Sequence, residues 1–328
     1  MSRVSKQQVD LAGAARLIAE AQRILFFLHV SPDGDSIGST LGMVRALRQA
    51  GKEAVIVGVD PVPRIYQFLP GWDTLFVPWD QVEGEWDLAC LLDCGDLERV
   101  GAALPVVQKA RRVLNVDHHS TNTAYGEYNY LDFRAAAVGE LAYRLLRELA
   151  LPVDQETATC LYTSIVADTG GFRYDSTSPE THRIAAELIE AGARPYDVAS
   201  AIFENESVAR LALLSRVLST LQVDPSGKIA WLQLTRSMLE QAGARDEDAE
   251  GIVNYARSVA GVEVGILFRE APEGGIRVGL RSRRAVDVGQ VARQFGGGGH
   301  ARAAGCTVPG TLAEVVEQVV DAVRRVMA

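Results

Sequence analysis

The chain reads as a two-part α/β protein: an amino-terminal domain built on a parallel sheet, a helical connector, and a smaller α/β domain at the carboxyl end. Three observations carry this reading. Its 328 residues exceed one typical domain and suit two. Short apolar runs alternate with stretches of helical periodicity, as parallel sheets with crossover helices require. Histidine and aspartate also recur at the ends of those apolar runs, where parallel sheets gather their chemistry. The expected division is 1–192, a connector over 193–221, and 222–328.

Apolar spacing predicts a helix over residues 9–21, followed by a strand over 24–28 that delivers His29. The loop Val30-Ser31-Pro32-Asp33-Gly34-Asp35 leads into a helix expected from Ser36 to Arg48 and stopped by Gly51. Strands are expected at 53–59, 74–77 and 87–92, the last ending in Asp93-Cys94-Gly95-Asp96. The run Val113-Leu114-Asn115-Val116 is a further buried strand, and it stops at Asp117-His118-His119. Residues 135–191 read as mainly helical, interrupted by Asp168-Thr169-Gly170-Gly171-Phe172. In the second domain, strands are expected at 229–234, 263–268 and 276–280 and near Cys306, with a final helix from Thr311.

Composition narrows the function. Hydrophobic residues make up 48% and charged residues 23%, which describes a globular chain rather than a disordered one. A net charge of −9 argues against coating long nucleic acid with a basic surface. It leaves room for an anionic substrate, because bound cations can supply local positive charge. Cys90, Cys94, Cys160 and Cys306 lack the spacing of paired zinc ligands. The first seventeen residues hold no apolar core of signal-peptide length, and the run 24–28 is too short to span a bilayer. The expected location is the cytoplasm.

The tripeptide Asp117-His118-His119 organises the rest. Adjacent side chains leaving a strand point to opposite faces, so the two imidazoles are expected to divide their roles. Taken singly, Asp33, Asp35, Asp93 and Asp168 could each be a turn or cap residue. Converging, four carboxylates would raise one another's pKa values and destabilise the fold, a problem that two divalent cations remove. Carboxylates with imidazoles and no thiolates suit Mn²⁺, Mg²⁺, Fe²⁺ or Co²⁺, and the imidazoles favour Mn²⁺ over Mg²⁺. Two metals about 3.5–4 Å apart generate hydroxide and stabilise in-line displacement at phosphorus. The chemistry indicated is phosphoester hydrolysis.

These motifs, His29-x-x-x-Asp33-x-Asp35, Asp93, Asp117-His118-His119 and Asp168, resemble in order the four motifs of the DHH phosphoesterase superfamily. The resemblance implies that His29 and Asp33 bind one metal, that Asp35, His118 and Asp168 bind the other, and that Asp93 bridges them. It leaves Asp117 behind the ligands as an orienting carboxylate and points His119 at the scissile phosphate.

The glycine-rich stretch Gly296-Gly297-Gly298-Gly299-His300 lies in a locally basic segment. Between Arg277 and Arg302, six arginines stand against one acid, a balance of +5. Glycine amides can approach an anion closely, and Arg281-Ser282-Arg283 at a strand end would offer guanidinium forks to a phosphate. Arg281 and Arg283 are expected on one strand face. This segment resembles the DHH-associated carboxy-terminal domain, which implies nucleotide binding by Arg281, Ser282, Arg283, Gly297, Gly298, Gly299 and His300.

Together the two resemblances imply a bacterial oligoribonuclease and pAp phosphatase. Its substrates would be short single-stranded RNA, dinucleotides and pAp, suited to an interdomain cleft, and it would act as a homodimer. A RecJ-like exonuclease would carry additional nucleic-acid-binding domains. A membrane-anchored cyclic-dinucleotide phosphodiesterase would need transmembrane segments, although linear pApA or pGpG remain substrates of the main reading. An inorganic pyrophosphatase would not need the glycine-histidine element. A non-catalytic nucleotide-binding regulator would have no need of a complete ligand set.

Overall fold

The structure is a computed structural model that describes residues 6–299 and 301–327. It contains two compact units, residues 1–205 and 206–328. The first consists of β1 (Gln7–Gln8), α1 (Leu11–Glu20), β2 (Arg23–Phe27), α2 (Gly34–Gln49), β3 (Glu53–Gly58), β4 (Phe76–Pro78) and β5 (Trp86–Leu92). It continues through α3 (Leu104–Val107), β6 (Ala110–Asp117), β7 (Tyr128–Leu131), α4 (Val138–Glu148), α5 (Gln155–Asp168), α6 (Pro179–Glu190) and α7 (Pro195–Phe203).

All seven strands pair in parallel, in the order β1-β7-β6-β5-β2-β3-β4. Side chains alternate between the faces of β2. Ile24 and Phe26 enter a large core with α1, α2, α4 and α5, while Leu25 and Phe27 enter a smaller one capped by the segment around α3. Strand order reverses between β2 and β5, the neighbours from which the chain departs in opposite directions. Such a reversal opens a crevice at the carboxyl ends of the strands. His29 follows β2 and Asp93 follows β5, so the topology puts both at that crevice.

Close helix packing brings the remaining parts together. α2 carries Gly34, Gly38 and Gly42 one turn apart, and this row faces α5. A Cβ at Gly38 would stand 2.5 Å from the Cys160 carbonyl oxygen and 2.8 Å from the Ser164 nitrogen. The absent side chains let the two helices touch backbone to backbone, antiparallel, so the start of α2 meets the end of α5.

The second unit has β8 (Gln222–Val223), β9 (Ile229–Leu234), β10 (Val264–Glu270), β11 (Ile276–Ser282), β12 (Gly298–Gly299) and β13 (Ala303–Val308). Its helices are α8 (Val208–Leu218), α9 (Arg236–Ala242), α10 (Val253–Ser258), α11 (Val288–Gln294) and α12 (Leu312–Met327). The sheet runs β12-β13-β11-β10-β9-β8, parallel only between β9 and β10. One apolar core lies under α11 and α12, another under α8 to α10.

Most elements stand within a few residues of expectation. The stretch 193–221 is divided rather than continuous: α7 packs on α5 in the first unit, and α8 packs on α9 and β9 in the second. β7 carries no apolar alternation strong enough to announce it. Its Asn129 is buried, and its side chain is held by Gly126 and Asn115. Among the described residues, no helix is long and apolar enough to cross a membrane.

Candidate active site

The site begins with the loop after β2. Asp33 caps α2, accepting from the backbone N–H groups of Asp35 and Ser36 at 3.1 Å each, so the capping role and a place in the acidic cluster coexist. The helix consequently starts at Gly34, two residues earlier than the spacing indicated. Asp35 lies in its first turn and is buried. Its Oδ2 accepts from the N–H of Val138 (2.7 Å), and its Oδ1 from the N–H of Gly139 (3.1 Å) and the hydroxyl of Ser164. The amino terminus of α4 therefore supplies two of its orphan amides to this carboxylate.

Asp93 leaves β5 in the left-handed region, with φ of 57°, which Asp tolerates better than most residues. Its N–H donates to the Val116 carbonyl of β6 at 3.1 Å, which fixes the turn. The cap of the following short 3₁₀ turn is Asp96, so Asp93 has no capping duty. Asp168 is the last residue of α5 and likewise caps nothing.

His118 and His119 lie just beyond β6. Instead of facing opposite ways, both turn toward Asp93, with ring centroids 4.6 Å apart and planes at 74°. They are already off the strand, so its alternation does not govern them. His118 Nδ1–H donates to the Ala135 carbonyl (3.0 Å), which aims Nε2 at Asp35 (3.7 Å), Asp93 (3.8 Å) and Asp168 (3.5 Å). His119 Nδ1–H donates to Asp117 (2.8 Å) and is 3.5 Å from Asp93. His29 Nε2 faces Asp93 (3.5 Å) and Asp33 (3.8 Å). At its Nδ1, the Val30 carbonyl (2.8 Å) and the Arg99 guanidinium (3.0 Å) call for opposite tautomers. A cation on Nε2 would select the first, with Nδ1–H donated to the carbonyl.

Among the described residues, three groups of potential ligand atoms lie within 4.8 Å of one another: His29, Asp33 and Asp93; Asp35, His118 and Asp168; and Asp93, Asp117, His118 and His119. His29 Nε2 and Asp93 Oδ1 are buried without a hydrogen-bond partner. Orphaned buried atoms of this kind are costly, and a divalent cation between them would satisfy both. Nitrogen and oxygen donors in this mixture fit such an ion.

The electrostatics agree. Burial, then the charge of Asp168, raises Asp35 to about 7, against the pull of His118. Burial raises Asp168 to about 6, again against His118. Burial and the charges of Asp35, Asp33, Asp117 and Asp168 hold Asp93 well above the usual carboxylate range. At Asp33 burial again opposes ionisation, although 58% of its side chain is exposed. The hydrogen bond and charge of His29 outweigh this and bring it to about 2. Burial likewise opposes ionisation of Asp117, and its hydrogen bond with His119 prevails. Without cations, the carboxylates of this cluster cannot all be ionised at neutral pH at low cost.

Several contributors carry no signal in the sequence. Asn122 donates to Asp117 Oδ2 (2.5 Å) and accepts from Asn115 (2.9 Å), so a chain of three side chains holds His119. Ser164 and the α4 amides clamp Asp35. A lone Asn or Ser in a loop or helix gives no pattern. The Gly34-Gly38-Gly42 row, by contrast, was a readable sign of helix contact.

In the second unit, Arg281 and Ser282 end β11, and Arg283 lies just beyond it, so no strand face is shared by Arg281 and Arg283. Ser282 is buried and donates to the Ala301 carbonyl (3.3 Å). Arg283 is exposed and donates to the Arg257 carbonyl (3.3 Å). Gly297 precedes the short strand β12, Gly298–Gly299, which pairs with β13. His300 lies outside the described residues.

Comparison with known proteins follows this division. Residues 23–165 match the DHH family N-terminal domain, and residues 227–328 match the DHHA1 domain. The bifunctional oligoribonuclease and PAP phosphatase NrnA of Thermus thermophilus is 37% identical over 94% of this chain and 93% of its own length. An exopolyphosphatase-related protein from Bacteroides fragilis superposes with a TM-score of 0.90 at 28% identity, covering 96% of this chain and 95% of the other. RecJ from Thermus thermophilus, in complex with Mn²⁺, shares the fold at 17% identity with a TM-score of 0.53, covering 95% of this chain and 54% of RecJ. Motif order, domain matches and a relative of this identity over nearly the whole chain agree: the protein belongs to the DHH family of phosphoesterases and carries a DHHA1 domain.

Proposed function

We propose that this chain is a metal-dependent phosphodiesterase and phosphatase. It degrades short oligoribonucleotides to 5′-mononucleotides and converts pAp to AMP and phosphate. The observation that carries the reading is the buried cluster in which His29 Nε2 and Asp93 Oδ1 lack partners among surrounding carboxylates. Whole-length similarity to an enzyme named for both activities supports the substrate class.

In this reading His29, Asp33 and Asp93 would hold one cation and Asp35, His118 and Asp168 the other, with Asp93 available to both. Mn²⁺ is the proposed ion, with Mg²⁺ or Co²⁺ as substitutes. Bound there, divalent cations would supply an activated water and neutralise charge on the phosphoryl oxygens. Asp117 fixes the His119 ring through Nδ1, and His119 Nε2 is assigned to a phosphoryl oxygen, where an oriented donor stabilises developing charge. In both substrates the attacked phosphorus carries a 3′ oxygen, and that oxygen leaves. Arg281, Ser282, Arg283, Gly297, Gly298, Gly299 and His300 are proposed to bind the 5′ nucleotide. A homodimer in the cytoplasm is the proposed state.

The test is a Mn²⁺-dependent digest of a 5′-labelled diribonucleotide, a 5′-labelled long RNA, pAp and pyrophosphate. Rapid release of labelled mononucleotide from the short substrate, and of phosphate from pAp, is expected. Preference for the long strand, or cleavage of pyrophosphate alone, refutes the proposal.

A further inference from the structure

Asp168 is followed by three consecutive residues with positive φ: Gly170 (57°), Gly171 (71°) and Phe172 (63°). Two glycines adopt this backbone freely, but Phe172 is strained there. The turn is held from inside. The backbone N–H groups of Arg173 (2.9 Å) and Tyr174 (3.1 Å) donate to the Thr169 carbonyl, and Phe172 N–H donates to the Thr169 hydroxyl (3.0 Å). Phe172 stacks on His182 of α6, with ring centroids 5.1 Å apart.

Two half-exposed aromatic rings lie against this turn. Tyr174 lies against Gly170, where a Cβ would collide with the ring, and Phe203 lies 3.4 Å from the Cβ position of Gly171. Tyr174 is 47% exposed and Phe203 is 43% exposed. The Arg173 guanidinium sits 5.8 Å from the Phe203 ring centre and donates to the Gly170 carbonyl. Gly170 is two residues from Asp168, so their Cα atoms are at most about 7 Å apart. Half-exposed aromatics singly need no explanation. Here two of them lie against a strained turn just after Asp168, with the Arg173 guanidinium near the Phe203 ring.

We propose that Tyr174, with Phe203 against the same turn, is the stacking platform for the nucleobase of the nucleotide whose phosphate is attacked, and that Arg173 faces a phosphate of the same substrate. This deepens the nucleotide-phosphoesterase reading and rests on it for the identity of the substrate. A π-face accepts any base, so the platform gives affinity for nucleotides without sequence preference.

The test compares Tyr174→Ala and Tyr174→Phe with the unmodified full chain in Mn²⁺, using pAp and a base-free analogue, 1-O-methylribose 3,5-bisphosphate. Tyr174→Ala is expected to raise KM for pAp at least fivefold, with kcat within twofold and no change for the base-free analogue. Tyr174→Phe is expected to restore the pAp value. Binding of AMP against ribose 5-phosphate is expected to show the same split without turnover. An unchanged KM for pAp, or an equal rise for both compounds, overturns the platform, the second outcome indicating a purely structural residue. If the unmodified chain hydrolyses neither pAp nor a diribonucleotide, the proposed function fails instead, and AMP binding alone decides the platform.

Discussion

Replacing Asp93 with asparagine is expected to change stability in opposite senses with and without metal. Asp93 is buried, and its Oδ1 has no hydrogen-bond partner to lose. Asparagine also tolerates the left-handed backbone at this position. Carboxylate oxygens of Asp33 and Asp117 lie within 4.8 Å of it. At that distance each unit-charge repulsion is worth about 0.9 kcal/mol at the dielectric of water and about 3.5 kcal/mol at an effective dielectric of about 20. The nearby imidazoles offset part of this. In chelator at pH 8, Asp93→Asn is expected to gain about 2 kcal/mol, or roughly 4–8 °C in Tm for a unit of this size. Mn²⁺ at about a hundred times its Kd should stabilise the unmodified protein by about 2.7 kcal/mol. The variant should gain less than a third of that and lose turnover. Differential scanning fluorimetry in EDTA and in Mn²⁺ reads both effects. A lower Tm for the variant in EDTA at pH 8, or an equal Mn²⁺ shift in the two proteins, refutes the assignment of Asp93 to a repulsive metal-binding cluster.

Other outcomes follow from the same geometry. Asp35, at about 7, and Asp168, at about 6, bind protons in the folded chain above the ordinary carboxylate value. Metal-free stability should therefore fall as pH rises from about 4 to about 7, and urea titrations showing a rise across that window contradict this. Gly38→Ala should separate α2 from α5 and cost about 1–3 kcal/mol, read as a lower urea midpoint at unchanged m. Asn122→Ala frees Asp117 and so His119. Its turnover should drop about 10–100-fold with the Tm nearly kept, and unchanged kinetics would remove Asn122 from the positioning chain. Arg281→Ala should raise KM for pAp while Mn²⁺ binding stays intact, and an unchanged KM would show that the basic strand end does not hold the nucleotide.

The sequence by itself determined the parallel architecture of the first unit and the residues of its acidic cluster. Apolar runs mark buried strands, and polar residues at their ends have no place in the core. Only the tertiary structure decided how those residues meet. The reversal of strand order between β2 and β5 is a long-range pairing that no local pattern encodes, and it brings His29 to Asp93. The joint aim of His118 and His119 arises because both lie past the end of β6, where strand alternation ceases. The clamp on Asp35 comes from a helix terminus more than a hundred residues away, and Asn122 acts through a contact rather than a motif. Periodicity reports which face of an element is buried. Which elements share a crevice depends on chain connectivity and on close approaches such as that of Gly38 to α5, and these exist only once the chain has folded.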